Sequence, residues 1–450
     1  MEVLVRRLMP GLALLAASTL AVAACGSSST GGSGSGGSGP MNLGVIYPFT
    51  GANADQGAIG MAGCLTGVAA VNAAGGVQGR KFVCKSFDTK GDPADATSAA
   101  NQMMASASPV MVIGASDDAV TTAPIVTAAG VPNFATIGDP HFDHQTNQYF
   151  YRITPSDALQ GVALGYWAAT HFKRPAAVFT SDLGAQTSVP PLRAKMAALG
   201  HKLVADVTLA PGQSSYRTEI AKIIAAKPDA LVTEMDPQSA ATFLSEYQQL
   251  AGHLPIILGT QRTSNSDWIQ AVLGAIGQAS YVKYVKAITP YVPPGGASHS
   301  VYHHWLMTTA GKVQNPAQYD QHPYAIADYD AINITALAMT EAHSTAPAAY
   351  NKFIVKVTAA TPGAVQVHSY AEGLRALKAG KHIQYVGAGG TLAFNRYHSA
   401  ERAFSYDNYD PANKSMNPVL VIPRGASSRV LTNSSYGTPD AAATTRPRIA

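Results

Sequence analysis

Charge is scarce in this chain: only 13% of its 450 residues are Asp, Glu, Lys or Arg, and the formal net charge is +4. No basic run stands out, so the electrostatic footprint that a nucleic-acid surface needs is missing. Cysteine is scarcer still, with three residues in all, and no Cys-x-x-Cys pair offers a redox or metal centre. There is no His-Glu-x-x-His and no Walker-type phosphate loop. Gly57, Gly60 and Gly63 recur inside a helical stretch, at a spacing that is not the dinucleotide pattern. After residue 25 no apolar segment is long enough to span a bilayer. His141, Asp143 and His144 could hold a metal, as could His303 and His304, but adjacent histidines are more often surface residues. The expectation is therefore no cofactor, no metal, no catalytic centre and no nucleic-acid partner.

What is present begins at the N-terminus. Arg6 and Arg7 precede an apolar run that ends in Val22-Ala23-Ala24-Cys25. A basic start, an apolar segment and small residues before a cut describe a secretory signal peptide. Residues 26–40 are almost entirely Gly and Ser, a composition that stays a flexible coil. The cysteine directly after the cut makes the stretch resemble a bacterial lipoprotein signal. That resemblance implies that residues 1–24 are removed, that Cys25 carries lipid, and that residues 25–41 tether the body outside the membrane. The alternative is a plain signal with an incidental cysteine. With Cys25 committed, Cys64 and Cys84 remain in an oxidising compartment, where a leftover pair reads as a disulfide. It would join a helix to the strand after it, the two being turned back to back at Gly75-Gly76. Two free buried thiols are the alternative.

The body, 46% hydrophobic by the whole-chain count, has room for two well-built cores. Leu43-Gly44-Val45-Ile46-Tyr47 is a short apolar run between turn residues, a buried strand. Residues 55–73 read as a helix and Lys81 to Phe87 as a second strand. Asp92-Pro93 opens another helix, with proline in its first turn. Val110 to Gly114 is a third strand, and Asp117 or Asp118 caps the helix after it. The rhythm restarts at Asp157: a helix over 157–172, a strand over Ala176 to Phe179, and a helix to Gly200. Strands at Lys202–Val207, Asp229–Val232 and Pro255–Gly259 follow, with helices over 214–226 and 238–251 between them. Such alternation implies parallel sheets wound by right-handed crossovers. Beyond residue 290 the pattern weakens to helices over 298–310 and 324–342, then short strands and turns from 382 to 423. Residues 425–450 form a polar tail.

Several of these segments, in order, resemble type I periplasmic solute-binding proteins of the branched-chain amino-acid-binding branch. They are Gly44-Val45-Ile46-Tyr47-Pro48-Phe49-Thr50-Gly51, Asn72 to Arg80, Asp88 with Gly91-Asp92-Pro93-Ala94, Val112-Ile113-Gly114, Gly130-Val131-Pro132, Arg152 to Gly161, Pro228-Asp229-Ala230 and Ile257-Leu258-Gly259. The resemblance implies two doubly wound α/β lobes joined by hinge strands, with ligand held between them. The first lobe would take residues 42–158 with 288–390, and the second 159–287 with 391–424. It also implies a carboxylate site on two first-lobe loops, where Ser116 with Asp117 and Thr136 with Ile137 are the candidates. Capping and turn formation are the competing roles of such hydroxyls.

The departures from the resemblance are as informative. Gln56 stands where relatives carry an aromatic that covers the ligand. Gln261 stands where amino-acid-binding relatives carry an acid for the ammonium, and a neutral amide is the weaker partner for a cation. Ser181-Asp182-Leu183-Gly184-Ala185-Gln186 lacks the tyrosine expected in that turn. Asp117 and Asp118 on one lip, with Glu234 and Asp236 on the other, add negative charge, unless they only cap helices or meet solvent. An acidic pocket favours a cationic or polyol-like solute over a plain amino acid. The chain thus reads as a lipid-anchored, extracytoplasmic, monomeric solute-binding protein that serves the membrane permease of an ABC importer. A ligand-sensing receptor with the same fold is one alternative. An exported α/β hydrolase is another, and would require a nucleophile with a base within hydrogen-bond reach.

Overall fold

The computed structural model describes residues 39–51, 53–114, 118–400 and 402–422. Cys25, Ser116, Asp117 and the polar tail lie outside them. Strands β1 (Met41–Tyr47), β2 (Phe82–Asp88), β3 (Met111–Gly114), β4 (Asn133–Ala135) and β5 (Phe150–Arg152) form one parallel sheet in the order β2-β1-β3-β4-β5. Helices α1 (Ala54–Ala73), α2 (Pro93–Ala107) and α3 (Ala119–Ala128) connect the first four strands. Strand β1 reads as one apolar run because both its faces are covered, and Leu43, Val45 and Ile46 are fully buried. Gly44 lets α2 come close: a Cβ there would meet Met103 Sδ at 2.4 Å.

In the first lobe the local signals hold with one exception. Asp92 accepts the N–H groups of Ala94 and Asp95, with Pro93 opening α2. Asp118 stands at the N-cap of α3 but makes no side-chain cap bond. Its partner is the hydroxyl of Thr89, and burial raises its pKa. Cys64 of α1 and Cys84 of β2 are disulfide-bonded, with Cα atoms 6.3 Å apart.

The second sheet starts after α4 (Asp157–His171). Its strands are β6 (Pro175–Thr180), β7 (Asp206–Leu209), β8 (Ala230–Glu234), β9 (Ile256–Gly259) and β10 (Val285–Pro290). Between them lie α5 (Leu183–Thr187), α6 (Val189–Ala198), α7 (Arg217–Ala225), α8 (Pro237–Ala251), α9 (Ser266–Ile276) and α10 (Gln278–Tyr284). The strand expected at Lys202–Val207 lies further along, because only Asp206–Leu209 runs beside Ala177–Thr180. It is the sheet's edge, half exposed, so its apolar pattern is weak.

The chain then returns to the core of the first sheet with α11 (Ala297–Thr308), α12 (Pro323–Glu341), α13 (Pro347–Thr358), β11 (Val365–Val367), α14 (Tyr370–Lys378), β12 (Ile383–Gly387) and β13 (Gly390–Thr391), the three strands forming a small sheet of their own in the order β11-β12-β13. It ends in the second sheet with β14 (Phe404–Asp410) and β15 (Ser415–Ile422). That sheet is ordered β15-β14-β10-β9-β8-β6-β7. It is not wholly parallel: β14 pairs antiparallel with β10, and β15 with β14. Helix α12 packs against α1 and α13 and is buried almost throughout.

Each of the two large sheets with its helices is a lobe, and three segments cross between them: residues 153–156, 291–296 and 392–403. The crossings are tied together. Arg152 N–H donates to His398 O (2.9 Å), Ala400 N–H to Arg152 O (2.7 Å), and Tyr291 N–H to Ala403 O (2.8 Å). The buried Arg152 guanidinium pairs with Asp143 at 2.7 Å. No described helix is long and apolar enough to cross a membrane.

Candidate ligand-binding site

The loops leaving the C-terminal ends of β1 and β9 meet across the seam between the lobes. Arg262 donates through Nη2 to Asn53 Oδ1 (3.3 Å), and Asn265 Nδ2 donates to Asp55 Oδ2 (3.0 Å). His322 caps α12 by accepting the Tyr324 N–H at Nδ1 (3.3 Å). Its proton must therefore sit on Nε2, which donates to Asn265 Oδ1 (3.3 Å). Burial holds the imidazole neutral, its pKa pulled down to about 4. Asp55 is pushed up to about 6, by burial first and then by Asp267, against the pull of Arg262. His322, Asn265 and Asp55 thus form one donor chain that latches the lobes together.

The wall of the first lobe is built at the ends of β1 and β4. Tyr47 Oη donates to Asp328 Oδ2 (3.0 Å), which leaves its 2.8 Å contact with Thr136 to the threonine proton. Asp328 is fully buried, and burial raises its pKa well above the usual carboxylate range, against the pull of the Tyr47 hydrogen bond. The Thr136 hydroxyl is committed to this network, and Ile137 packs with Ala119, Phe142 and Phe150. The next residue, Gly138, is pressed against Asp157: a Cβ there would stand 1.8 Å from the carboxylate oxygen Oδ1. The Thr187 hydroxyl of the second lobe shares its one proton between Asp157 Oδ2 (2.9 Å) and Gly184 O (2.6 Å). A carboxylate of the chain itself therefore occupies the loop on which the sequence resemblance places a ligand carboxylate. Gln56 lies in the first turn of α1, beside the latch.

The wall of the second lobe is rich in acceptors. Asp182 caps α5, taking the Ala185 N–H and the Thr180 hydroxyl. Asp182 and Glu234 each place an oxygen within 4.0 Å of the point where a Cβ of Gly184 would stand. Asp236 caps α8 through Oδ1, the ordinary structural role, but its buried Oδ2 has no partner. Gln261 is 4% exposed, and its Nε2 donates to Ser264 Oγ (2.7 Å). The single Ser264 proton goes to Gln261 O (2.8 Å). In this orientation Gln261 Oε1 is buried and without a partner. Glu234, Asp236 and Gln261 thus come together at the ends of neighbouring strands, with Thr136 and Ile137 in the other lobe.

A family model described as periplasmic binding protein matches residues 40–397. The chain belongs to the periplasmic binding protein family. Members of this family bind solutes and are not enzymes. An amino acid binding protein of Pseudomonas aeruginosa is 26% identical over 186 residues, 40% of this chain and 50% of the relative. The chain thus spans about half the length of the curated relative it matches. A leucine-binding protein from Thermotoga maritima superposes with a TM-score of 0.67 at 18% identity, over 86% of this chain and 99% of that one. A branched-chain amino acid transporter substrate-binding protein from Streptococcus pneumoniae, in complex with isoleucine, gives 0.66 at 17%, over 85% and 99%. A solute-binding protein from R. palustris in complex with benzoate gives 0.66 at 16%, over 85% and 96%. At these identities the likeness is one of fold. The latch, the Tyr47–Asp328 pair and the position of Asp157 have no counterpart in the sequence reading. From sequence Asp157 stands only as the start of a helix inside the matched Arg152–Gly161 stretch.

Proposed function

We propose that this periplasmic binding protein is the extracytoplasmic solute receptor of an ABC importer, anchored by lipid on Cys25 and working as a monomer. In this reading residues 42–158 with 288–390, and 159–287 with 391–424, are the two lobes. They close on a small polar solute and present it to the permease. The solute is rich in hydrogen-bond donors, of amide or polyol type. One observation carries that choice: the facing strand ends offer acceptors, with Gln261 Oε1 and Asp236 Oδ2 lacking any donor and Asp182 and Glu234 beside them. A buried acceptor without a donor costs about 1–3 kcal/mol, which a donor-bearing solute recovers.

Asp157 at Gly138 favours the same class, because a ligand carboxylate there would face a charge of its own sign. The relatives' ligands leucine, isoleucine and benzoate all bear a carboxylate. The anchor is tested by Cys25→Ser, which should release the protein into the medium; an unmodified Cys25 in membrane fractions would overturn it. The transport role is tested by uptake in cells lacking the gene. Loss of uptake for the bound solute is expected, and undiminished uptake contradicts the importer reading.

A further inference from the structure

A second place between the lobes is built for something other than the solute. On the far side of the latch, at the antiparallel edge of the second sheet, lies a cavity of about 10 Å³. Ser264, Thr289, Asp407 and Ser415 of the second lobe line it, and Gln321 and His322 close it from the first. It has room for one occupant of water size. Asp407 is only 3% exposed. Thr289 donates to its Oδ2 (2.6 Å), while Oδ1 makes no hydrogen bond. The Ser405 hydroxyl lies close enough to lower the Asp407 pKa against the effect of burial. The ladder between β14 and β15 slips between Tyr406 and Asp407, with Pro418, which has no N–H, opposite. Such bulges re-aim a side chain out of the regular pleat.

The hydroxyls around the cavity have all spent their protons elsewhere. Thr289 gives its proton to Asp407, Ser264 to Gln261 O, and Ser415 to Asn417 Oδ1 (3.1 Å). The His322 Nε2–H goes to Asn265. The second-lobe wall therefore presents three oxygen lone-pair donors and one carboxylate, with no proton to offer. A water could satisfy two of these oxygens and would leave the buried charge unbalanced. A hard cation takes oxygen ligands of this kind, and a single carboxylate balances a single charge.

We propose that this cavity binds a monovalent cation of about sodium's size, and that the cation favours lobe closure because both lobes wall it. The site adjoins the solute wall through Ser264 but uses a different carboxylate, and it stands whichever solute is bound. The experiment is thermal unfolding of the protein in NaCl, KCl or choline chloride at constant ionic strength. The expected result is a saturable rise in Tm with sodium or potassium, absent with choline, lost in Asp407→Asn and reduced in Thr289→Val. Sodium-23 NMR gives a second readout: line broadening by the protein that Thr289→Val weakens, decisive even if Asp407→Asn does not fold. Small-angle scattering should show a smaller radius of gyration in sodium than in choline. Equal midpoints in all three salts, an increment that survives in Asp407→Asn, or a response to divalent ions alone would overturn the site. An unchanged radius of gyration would overturn its link to closure.

Discussion

Gly138 and Asp157 share a space that admits only one of a Cβ and a carboxylate. An added methyl would lie 1.8 Å from Oδ1 and 2.3 Å from Cγ of Asp157, so one of the two must move. Gly138→Ala is expected to destabilise the protein by about 1–3 kcal/mol, as overpacking does. Most of that loss should return in the double variant with Asp157→Gly, measured by urea unfolding. Equal losses in the single and double variants would show that the clash is not the cause. At this scale the sequence was legible where a residue acts next to its own strand. Gln261 follows β9, and Glu234 with Asp236 ends β8, so their place on the rim could be read from local pattern. Tyr47 and Asp328 are 281 residues apart, and no local pattern joins them. That is why Thr136 read as an available hydroxyl while the structure gives it to Tyr47.

Among the elements, the latch between α1, the segment after β9 and the start of α12 makes closure depend on pH in two opposed ways. His322 has its pKa depressed from 6.5 to about 4, so the unfolded chain binds more protons between those values. Its contribution is complete above pH ~6.5 and is lost as the pH falls toward 4, about 3 kcal/mol over that span. Asp55 has its pKa raised from 3.8 to about 6. Its contribution is complete below about pH 4 and is lost as the pH rises through 6. Asp407, also raised to about 6 by burial, acts in the same direction as Asp55. With Asp55 and Asp407 together outweighing His322, these groups make stability fall from pH 4 to 6, and His322→Gln should make that fall steeper. Asp55→Asn should flatten the profile over the same range, because the rise from His322 then offsets the fall from Asp407. Tm against pH for the three proteins checks this, and three parallel curves would contradict it.

The Cys64–Cys84 bond closes a sequence separation of 20 residues between α1 and β2. Cys64→Ser with Cys84→Ser should cost about 3 kcal/mol on the chain-entropy account, read as a lower urea midpoint. Helices that announce themselves by cap chemistry, as α2 does at Asp92-Pro93, were legible at their first residue. The short α13, β11 and α14 were not read: α13 and β11 gain their order from packing beside α12 and β12, whereas α14 carries its own signal, a Ser369 cap with Glu372 three residues on.

For the whole molecule, alternating apolar strands and helices were enough to reveal two wound α/β lobes, because parallel strands buried on both faces leave continuous apolar runs. The antiparallel return of β14 and β15 escaped, since it depends on where the third crossing re-enters the second sheet. The seam escaped for the same reason: it joins Asn53 to Arg262 and Asp55 to Asn265, pairs more than 200 residues apart in sequence. The two walls of that seam decide the function, acceptors on one side and a resident carboxylate on the other. The central claim is that they select a donor-rich solute over a carboxylate-bearing amino acid. Calorimetric titration of the purified protein with leucine, isoleucine and valine beside a panel of polyols and amides tests it directly. The account predicts micromolar or tighter binding of a polyol or amide and no measurable heat from the three amino acids; micromolar binding of any of those amino acids would contradict it.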